Sequence, residues 1–287
     1  MEVLRAQTAG FCMGVDLALR KLDAVLEGDE TGAPIYTFGP IIHNPQVLAE
    51  YAAMGVMRAE TAEEVPEKSI VIIRAHGVPK SVRDSLLAKK ARIIDATCPK
   101  VKKAQTLIEK EAAKGKILLL YGEENHPEVK GLLSYAVSGA YVFDSLDEAR
   151  ALSLAQEPRY FLAAQTTQDA GEFSRIAECF RELLGPDMTV LATICNATMR
   201  RQEEAVRLAG QVDHMVVVGG FESGNTRRLV QVVAERGSPC VHVEVAGDLP
   251  LDILGKNRRI GLTAGASTPK KIIESVQSVL EALKTRE

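Results

Sequence analysis

The sequence predicts an α/β protein of three pseudo-symmetric α/β domains, in which the N-terminal strand completes the third domain. Three observations predict it. Short β-branched strands alternate with longer helical stretches from end to end, the pattern of parallel sheets whose crossovers are helices. Cys12, Cys98 and Cys195 each stand where a short apolar strand gives way to a helix, 86 and 97 residues apart, with 92 residues after the last. The third repeat then runs out of chain one strand short, while an unassigned strand precedes the first cysteine.

Taken in order, Val3–Ala6 is the opening strand and leads to Cys12. The helix Val15–Leu26 follows, then the strand Pro34–Phe38 and a polar loop, His43-Asn44-Pro45. After another helix, the strand Ile70–Ile73 ends in Ala75-His76-Gly77, and a helix and a third strand bring the chain to Ala96-Thr97-Cys98. The series then repeats. Helix Val101–Ala113 and strand Ile117–Tyr121 lead to His126-Pro127-Glu128, strand Tyr160–Ala163 leads to Gln165-Thr166-Thr167, and the helical stretch Phe173–Leu184 precedes Thr193-Ile194-Cys195. The third round has helix Ala197–Ala209, strand Met215–Val218, loop Ser223-Gly224-Asn225, strand Ile260–Leu262 and loop Gly265-Ala266-Ser267. It ends in helix Ile272–Leu283, whose Ile272, Val276, Val279, Leu280 and Leu283 recur at helical spacing. No strand follows that helix, so Val3–Ala6 supplies it. The domains are therefore expected at 13–97, 98–194 and 195–287, the last completed by 1–12. A period this long makes each unit a small domain with its own core.

Composition bounds the function. Of 287 residues, 46% are hydrophobic, enough for two or three packed cores. Formal charge is −3, from 35 basic and 38 acidic residues that are well mixed, so no basic stripe points to nucleic acid. No apolar run reaches the roughly 18 residues of a membrane span. The opening MEVLRAQTAGFC has neither the charged start nor the long apolar run of a signal peptide, so a cytoplasmic protein is expected. In a reducing compartment its five cysteines are expected to be free, metal-bound or catalytic.

In open parallel sheets, ligands bind beyond the carboxyl ends of the strands. The three repeat cysteines and all the polar loops named above fall at such ends. Three converging thiolates suit zinc, copper(I) or an iron–sulfur centre. Such clusters normally take four cysteines, so three leave one iron without a protein ligand. Cys179 and Cys240 have no repeat counterparts and read as core residues. His43, His76 and His126 occupy strand-end loops and read as functional, whereas His214 and His242 read as surface or packing residues. Gly219-Gly220 with Ser223-Gly224-Asn225 could offer backbone N–H groups to a phosphate. Imidazoles, hydroxyls and an amide suit an anion in a closed pocket, and a bound anion favours cationic imidazole. Glu128 is the one carboxylate in the six loops expected to point inward, as a general acid; the alternative is a solvated glutamate at a helix N-terminus. On residues alone, four readings stand: a reductase, a non-redox iron–sulfur dehydratase, an electron carrier or redox sensor, and a zinc protein whose site is completed by water or His126.

The motifs Phe11-Cys12-Met13-Gly14-Val15, Ile42-His43-Asn44, Arg74-Ala75-His76-Gly77-Val78, Asp95-Ala96-Thr97-Cys98-Pro99 and His126-Pro127-Glu128-Val129 resemble the 4-hydroxy-3-methylbut-2-enyl diphosphate reductases, the IspH or LytB family. So do Gln165-Thr166-Thr167, the segment from Cys195 to Arg201-Gln202, Ser223-Gly224-Asn225 and Thr263-Ala264-Gly265-Ala266-Ser267. The match runs in order from Val3 to about Leu283. The resemblance implies a cloverleaf of three α/β domains around a central iron–sulfur cluster. It also implies the last step of the non-mevalonate isoprenoid pathway: removal of an allylic hydroxyl with two electrons and two protons, giving isopentenyl and dimethylallyl diphosphate. By the same resemblance, a [4Fe-4S] cluster with one open iron is held by Cys12, Cys98 and Cys195. The diphosphate falls to His43, His76, His126, Ser223, Asn225 and Ser267. Thr166 stands near the substrate hydroxyl, Glu128 delivers the proton, and His126 belongs with them to the catalytic set. Electrons come from a ferredoxin- or flavodoxin-type donor. One departure is Gly224, where some members carry a second serine; its backbone N–H remains.

Overall fold

The computed structural model of the chain describes residues 1–155 and 159–283. Strand β1 (Glu2–Arg5) leads to α1 (Met13–Gly28), β2 (Ile35–Phe38), α2 (Pro45–Ala53), β3 (Met57–Ala59), β4 (Ile70–Ile73), α3 (Lys80–Ala88) and β5 (Arg92–Asp95). Next come α4 (Pro99–Ala112), β6 (Ile117–Tyr121), α5 (Pro127–Leu133), β7 (Ala140–Phe143), α6 (Leu146–Ala151), β8 (Tyr160–Ala164), α7 (Ala170–Leu184) and β9 (Thr189–Val190). The last stretch holds α8 (Asn196–Ala209), β10 (His214–Val218), α9 (Gly224–Ala234), β11 (Cys240–Val243), α10 (Leu251–Leu254), β12 (Arg259–Ala264) and α11 (Lys270–Ala282).

The strands form three parallel four-stranded sheets, ordered β3-β2-β4-β5, β7-β6-β8-β9 and β11-β10-β12-β1. If β1 is counted after β12, all three share one strand order. The N-terminal strand completes the third sheet, with Val3 opposite Ile260 and Arg5 opposite Leu262. Glu2 N–H to the Arg258 carbonyl and Ala6 N–H to the Leu262 carbonyl extend that ladder at both ends. The physical need is plain: Ile260, Leu262 and Ala264 of β12 are fully buried, and without β1 their strand would expose an unpaired edge. Deleting residues 1–8 should therefore strip amide-exchange protection from Met215–Val218 and Ile260–Leu262. Loss confined to residues 9–97 would assign the strand to the first sheet instead.

The sequence reading passes over β3 and β7 and leaves β11 outside the repeat. These are edge strands of three or four residues; Met57 and Arg58 of β3 are exposed and only Ala59 is buried. A strand with one buried position carries no apolar run to be seen. The strand expected before Cys195 shrinks to Thr189–Val190, paired with Phe161 and Leu162.

Two compact units emerge, one of residues 1–16, 42–50 and 196–287 and the other of 17–41 and 51–195. In the first, alternate residues of β10 serve opposite faces, as the pleat requires. Val216 and Val218 pack with Ile273, Val276 and Leu280 of α11, while Met215 and Val217 pack with Ala205, Leu208, Leu229 and Val233 of α8 and α9. In the second unit, Leu118, Leu120 and Phe161 face α4 and α5, while Leu119, Tyr121 and Leu162 face α7. Parallel sheets covered on both faces make their strands apolar throughout and leave polar residues to the loops at their ends.

Candidate active site

The three repeat cysteines share one local geometry. Cys12 N–H donates to the Ala266 carbonyl at 3.1 Å, Cys98 N–H to Ala75 at 2.9 Å and Cys195 N–H to Thr166 at 2.9 Å. Each acceptor lies just past the strand that pairs with the one leading to that cysteine, β12 beside β1, β4 beside β5 and β8 beside β9. Each cysteine also opens a helix: Cys98 caps α4 ahead of Pro99, Cys12 accepts from Asp16 N–H at 3.0 Å, and Cys195 immediately precedes α8. None of the three is in a disulfide, and all are half-buried. Soft donors in three equivalent strand-end positions are the chemistry an iron–sulfur centre takes, so the residues fit such a group. Cys179 on α7 and Cys240 in β11 are half-buried rather than core, and burial pushes the Cys240 thiol up to about 11, the wrong direction for a ligand.

In the second unit the chemistry gathers at α5. His126 caps that helix, its Nδ1 accepting the Glu128 N–H at 3.1 Å, and Pro127 takes the first helical position. With Nδ1 engaged as acceptor, the ring proton of neutral His126 sits on Nε2. The His76 and His126 rings meet edge to face, centroids 5.3 Å apart. Gly77, at φ +75°, lets the His76 loop approach α4, since a Cβ there would lie 2.9 Å from Gln105 Nε2.

Glu128 is 1% exposed. Its Oε1 accepts the Thr166 N–H at 2.6 Å and its Oε2 accepts the Thr166 hydroxyl at 2.9 Å. Burial drives its pKa up to about 7, against the two Thr166 hydrogen bonds that lower it. The solvated helix-end alternative is therefore excluded. Thr166 in turn receives the Cys195 N–H on its carbonyl, so one residue touches both the acid and a cysteine's backbone.

The first unit holds His43, Ser223, Asn225 and Ser267. Ser223 caps α9, its Oγ accepting the Thr226 N–H at 3.4 Å, and Gly224 opens the helix with its backbone N–H. Asn225 is buried, and its Nδ2 finds no hydrogen-bond partner among the described residues. Ser267 lies in the loop between β12 and α11, where its neighbour Thr268 donates its hydroxyl to the Val218 carbonyl at 3.0 Å. A Cβ on Gly220 would fall 2.7 Å from the His43 carbonyl, so this glycine permits the approach of the His43 loop to the β10–α9 loop. Asn44 is a residue the sequence reading quoted without a role. Its Oδ1 caps α2 by accepting the Val47 N–H at 3.0 Å, and its buried Nδ2 has no partner among the described residues. An asparagine just ahead of a proline-led helix was the available signal. His214 is buried in β10, and His242 sets its Nε2 2.8 Å from the Gly219 carbonyl, so both pack rather than stand on the surface.

The family model described as LytB protein matches residues 3–281. A 4-hydroxy-3-methylbut-2-enyl diphosphate reductase from Solidesulfovibrio magneticus is 58% identical over 285 residues, covering 98% of this chain and 100% of that protein. One of the same name from Nitratidesulfovibrio vulgaris is 56% identical over 284 residues, covering 99% and 100%. Among solved structures, the E-1-hydroxy-2-methyl-but-2-enyl-4-diphosphate reductase from Plasmodium falciparum superposes with a TM-score of 0.92 at 28% identity, covering 97% of this chain and 87% of that one. A second, titled (E)-4-hydroxy-3-methyl-but-2-enyl diphosphate reductase, the terminal enzyme of the non-mevalonate pathway, is 38% identical with a TM-score of 0.69 and covers 98% and 100%.

Proposed function

This chain belongs to the LytB protein family, and on that premise we propose that it reductively removes the hydroxyl of (E)-4-hydroxy-3-methylbut-2-enyl diphosphate. The products are isopentenyl and dimethylallyl diphosphate with water, at the end of the non-mevalonate route. The family implies an iron–sulfur cofactor. Our reading is that Cys12, Cys98 and Cys195 hold it as a [4Fe-4S] cluster with one iron free of protein ligands. When bound, it would pass on the donor's two electrons one at a time and offer an electrophilic iron.

The remaining work falls to this chain's own side chains. A protein of net charge −3 must attract a diphosphate locally. His43, His76, His126, Ser223, Asn225 and Ser267 are the donors we assign to it, and the buried, unpartnered Nδ2 of Asn225 and the Nε2–H of His126 support that assignment. Thr166 is assigned to the substrate hydroxyl. As the carbon–oxygen bond breaks, the departing oxygen takes the Glu128 proton, relayed by the Thr166 hydroxyl, and leaves as water. Two electrons pass to the allylic unit, and the second proton adds at one or other of its ends, which accounts for two isomeric products. We expect the electrons to come from a ferredoxin- or flavodoxin-type donor in the cytoplasm; no helix among the described residues is long and apolar enough to cross a membrane.

The observation that carries this reading is the buried Glu128 carboxyl, raised to about 7 and gripped by Thr166. An electron carrier has no use for a buried proton donor. The test is anaerobic turnover of the alcohol diphosphate with a chemical reductant, with both products expected and none without reductant. A dehydrated, more unsaturated diphosphate formed without reductant would return the dehydratase, and a loaded cluster without turnover would return the carrier. In the same assay His43→Ala or Ser267→Ala should chiefly raise KM, by about tenfold or more for the loss of one phosphate contact.

A further inference from the structure

The first cysteine is carried differently from the other two. Six residues, Ala6–Phe11, separate β1 from Cys12, against two before Cys98 and four before Cys195. A loop of that length without regular structure has many conformations open to it, yet a cluster ligand has to stand in one. The backbone of this loop is held from outside, by α8. Glu204 accepts the Gln7 N–H on Oε1 at 2.9 Å, and on Oε2 the Thr8 N–H at 2.8 Å and the Thr8 hydroxyl at 2.6 Å. One turn earlier on the same face, the buried Arg201 donates from Nη2 to the Gly10 carbonyl at 2.6 Å. Gly10 presents that carbonyl at φ +114°, a conformation that other residues rarely adopt. Two residues on, Cys12 N–H closes onto Ala266.

We propose that Arg201 and Glu204 are positioning residues for the Cys12 thiolate, so that the helix following the third cysteine clamps the loop carrying the first. The inference rests on the reading of Cys12 as a cluster ligand. A carboxylate that collects three donors and a guanidinium that donates to the Gly10 carbonyl are charge-assisted contacts, stronger than neutral ones. The three hydrogen bonds also hold the Glu204 carboxyl below the usual carboxylate range despite its burial, so it stays ionised and keeps accepting. The clamp bypasses the cluster: it fixes the loop whether or not iron is bound, and so presents Cys12 in place before assembly.

The test uses the full chain with and without its cluster. In the apo protein, alkylation of each cysteine is followed by mass spectrometry in Glu204→Ala and Arg201→Ala. In the loaded protein, bleaching by an iron chelator is timed. Cys12 should react about tenfold faster in either variant, the loss expected of one such contact. Cys98 and Cys195 should keep the parent rates, and bleaching should quicken by a similar factor. Glu172→Ala on α7, whose carboxylate accepts the Leu146 N–H at 3.1 Å far from any of the three cysteines in sequence, should change none of these. Parent-like alkylation of Cys12 in both variants would overturn the proposal. Should the alanine variants not fold, Thr8→Val and Thr8→Ser provide the second reading. The hydroxyl-free valine should speed Cys12 alkylation and the serine restore it; equal rates would overturn the clamp. A cluster fully retained in Cys12→Ser would instead sink the ligand reading, whatever the alkylation rates.

Discussion

Cys98→Ser should yield a folded protein without iron, without sulfide and without turnover. The largest effect expected of any single substitution in this chain is placed there for two reasons. A serine hydroxyl is a hard, weakly acidic donor where an iron–sulfur centre requires a soft thiolate. The backbone of Cys98, by contrast, donates its N–H to Ala75 and caps α4, and serine keeps both. Cluster loss and fold loss are thereby separated. Cys12→Ser and Cys195→Ser should behave alike, since each sits in the equivalent position of its own sheet. Parent protein assembled anaerobically should hold about four irons per chain. Cys179→Ser and Cys240→Ser should hold the same. The check is iron and sulfide analysis beside far-ultraviolet circular dichroism, and a fully loaded cluster in any of the first three variants would contradict the assignment.

Glu128→Gln should slow single-turnover reduction by about 10²-fold or more while the cluster stays loaded and the diphosphate still binds. Glutamine keeps the shape and can still accept the Thr166 N–H, but it has no proton to transfer. The pH dependence follows from the pKa of about 7. Below it Glu128 carries its proton and can donate. Above it the carboxyl is ionised and the parent rate should fall, a limb the glutamine variant should lack. Stability follows the same sign. The folded-state pKa lies above the unfolded value of 4.5, so the folded state holds the extra proton between the two. Glu128 therefore contributes stability that is present below pH 4.5 and is lost as pH rises through about 7. At pH 8 the glutamine variant should be at least as stable as the parent in a denaturant titration. Parent-like single turnover by Glu128→Gln at saturating substrate would mean another group supplies the proton.

Much of the architecture could be read directly from residue order. A parallel strand covered on both faces is apolar along its length, so β4, β6, β8 and β10 announce themselves as apolar runs such as Ile70–Ile73 and Met215–Val218. Loops at the carboxyl ends of such strands are where polar side chains can go, which is why Cys12, Cys98, Cys195, His126 and Ser223 recur there in register. Counting strands was enough to return β1 to the third sheet.

What the tertiary structure alone decided concerns partners distant along the chain. Glu128 at the start of a helix is compatible with a solvated, ionised side chain or a buried, protonated one. Thr166, 38 positions away, makes it the second. Gln7, Thr8 and Gly10 read as an ordinary loop, and only their hydrogen bonds to Arg201 and Glu204, nearly 200 positions later, make it a fixed one. The physical reason is common to these cases. Hydrophobic periodicity and turn chemistry are local properties, imposed on neighbouring residues by a repeating backbone. The charge state of a buried group, in contrast, depends on the dielectric and the donors around it, and the folded path of the chain determines which donors those are.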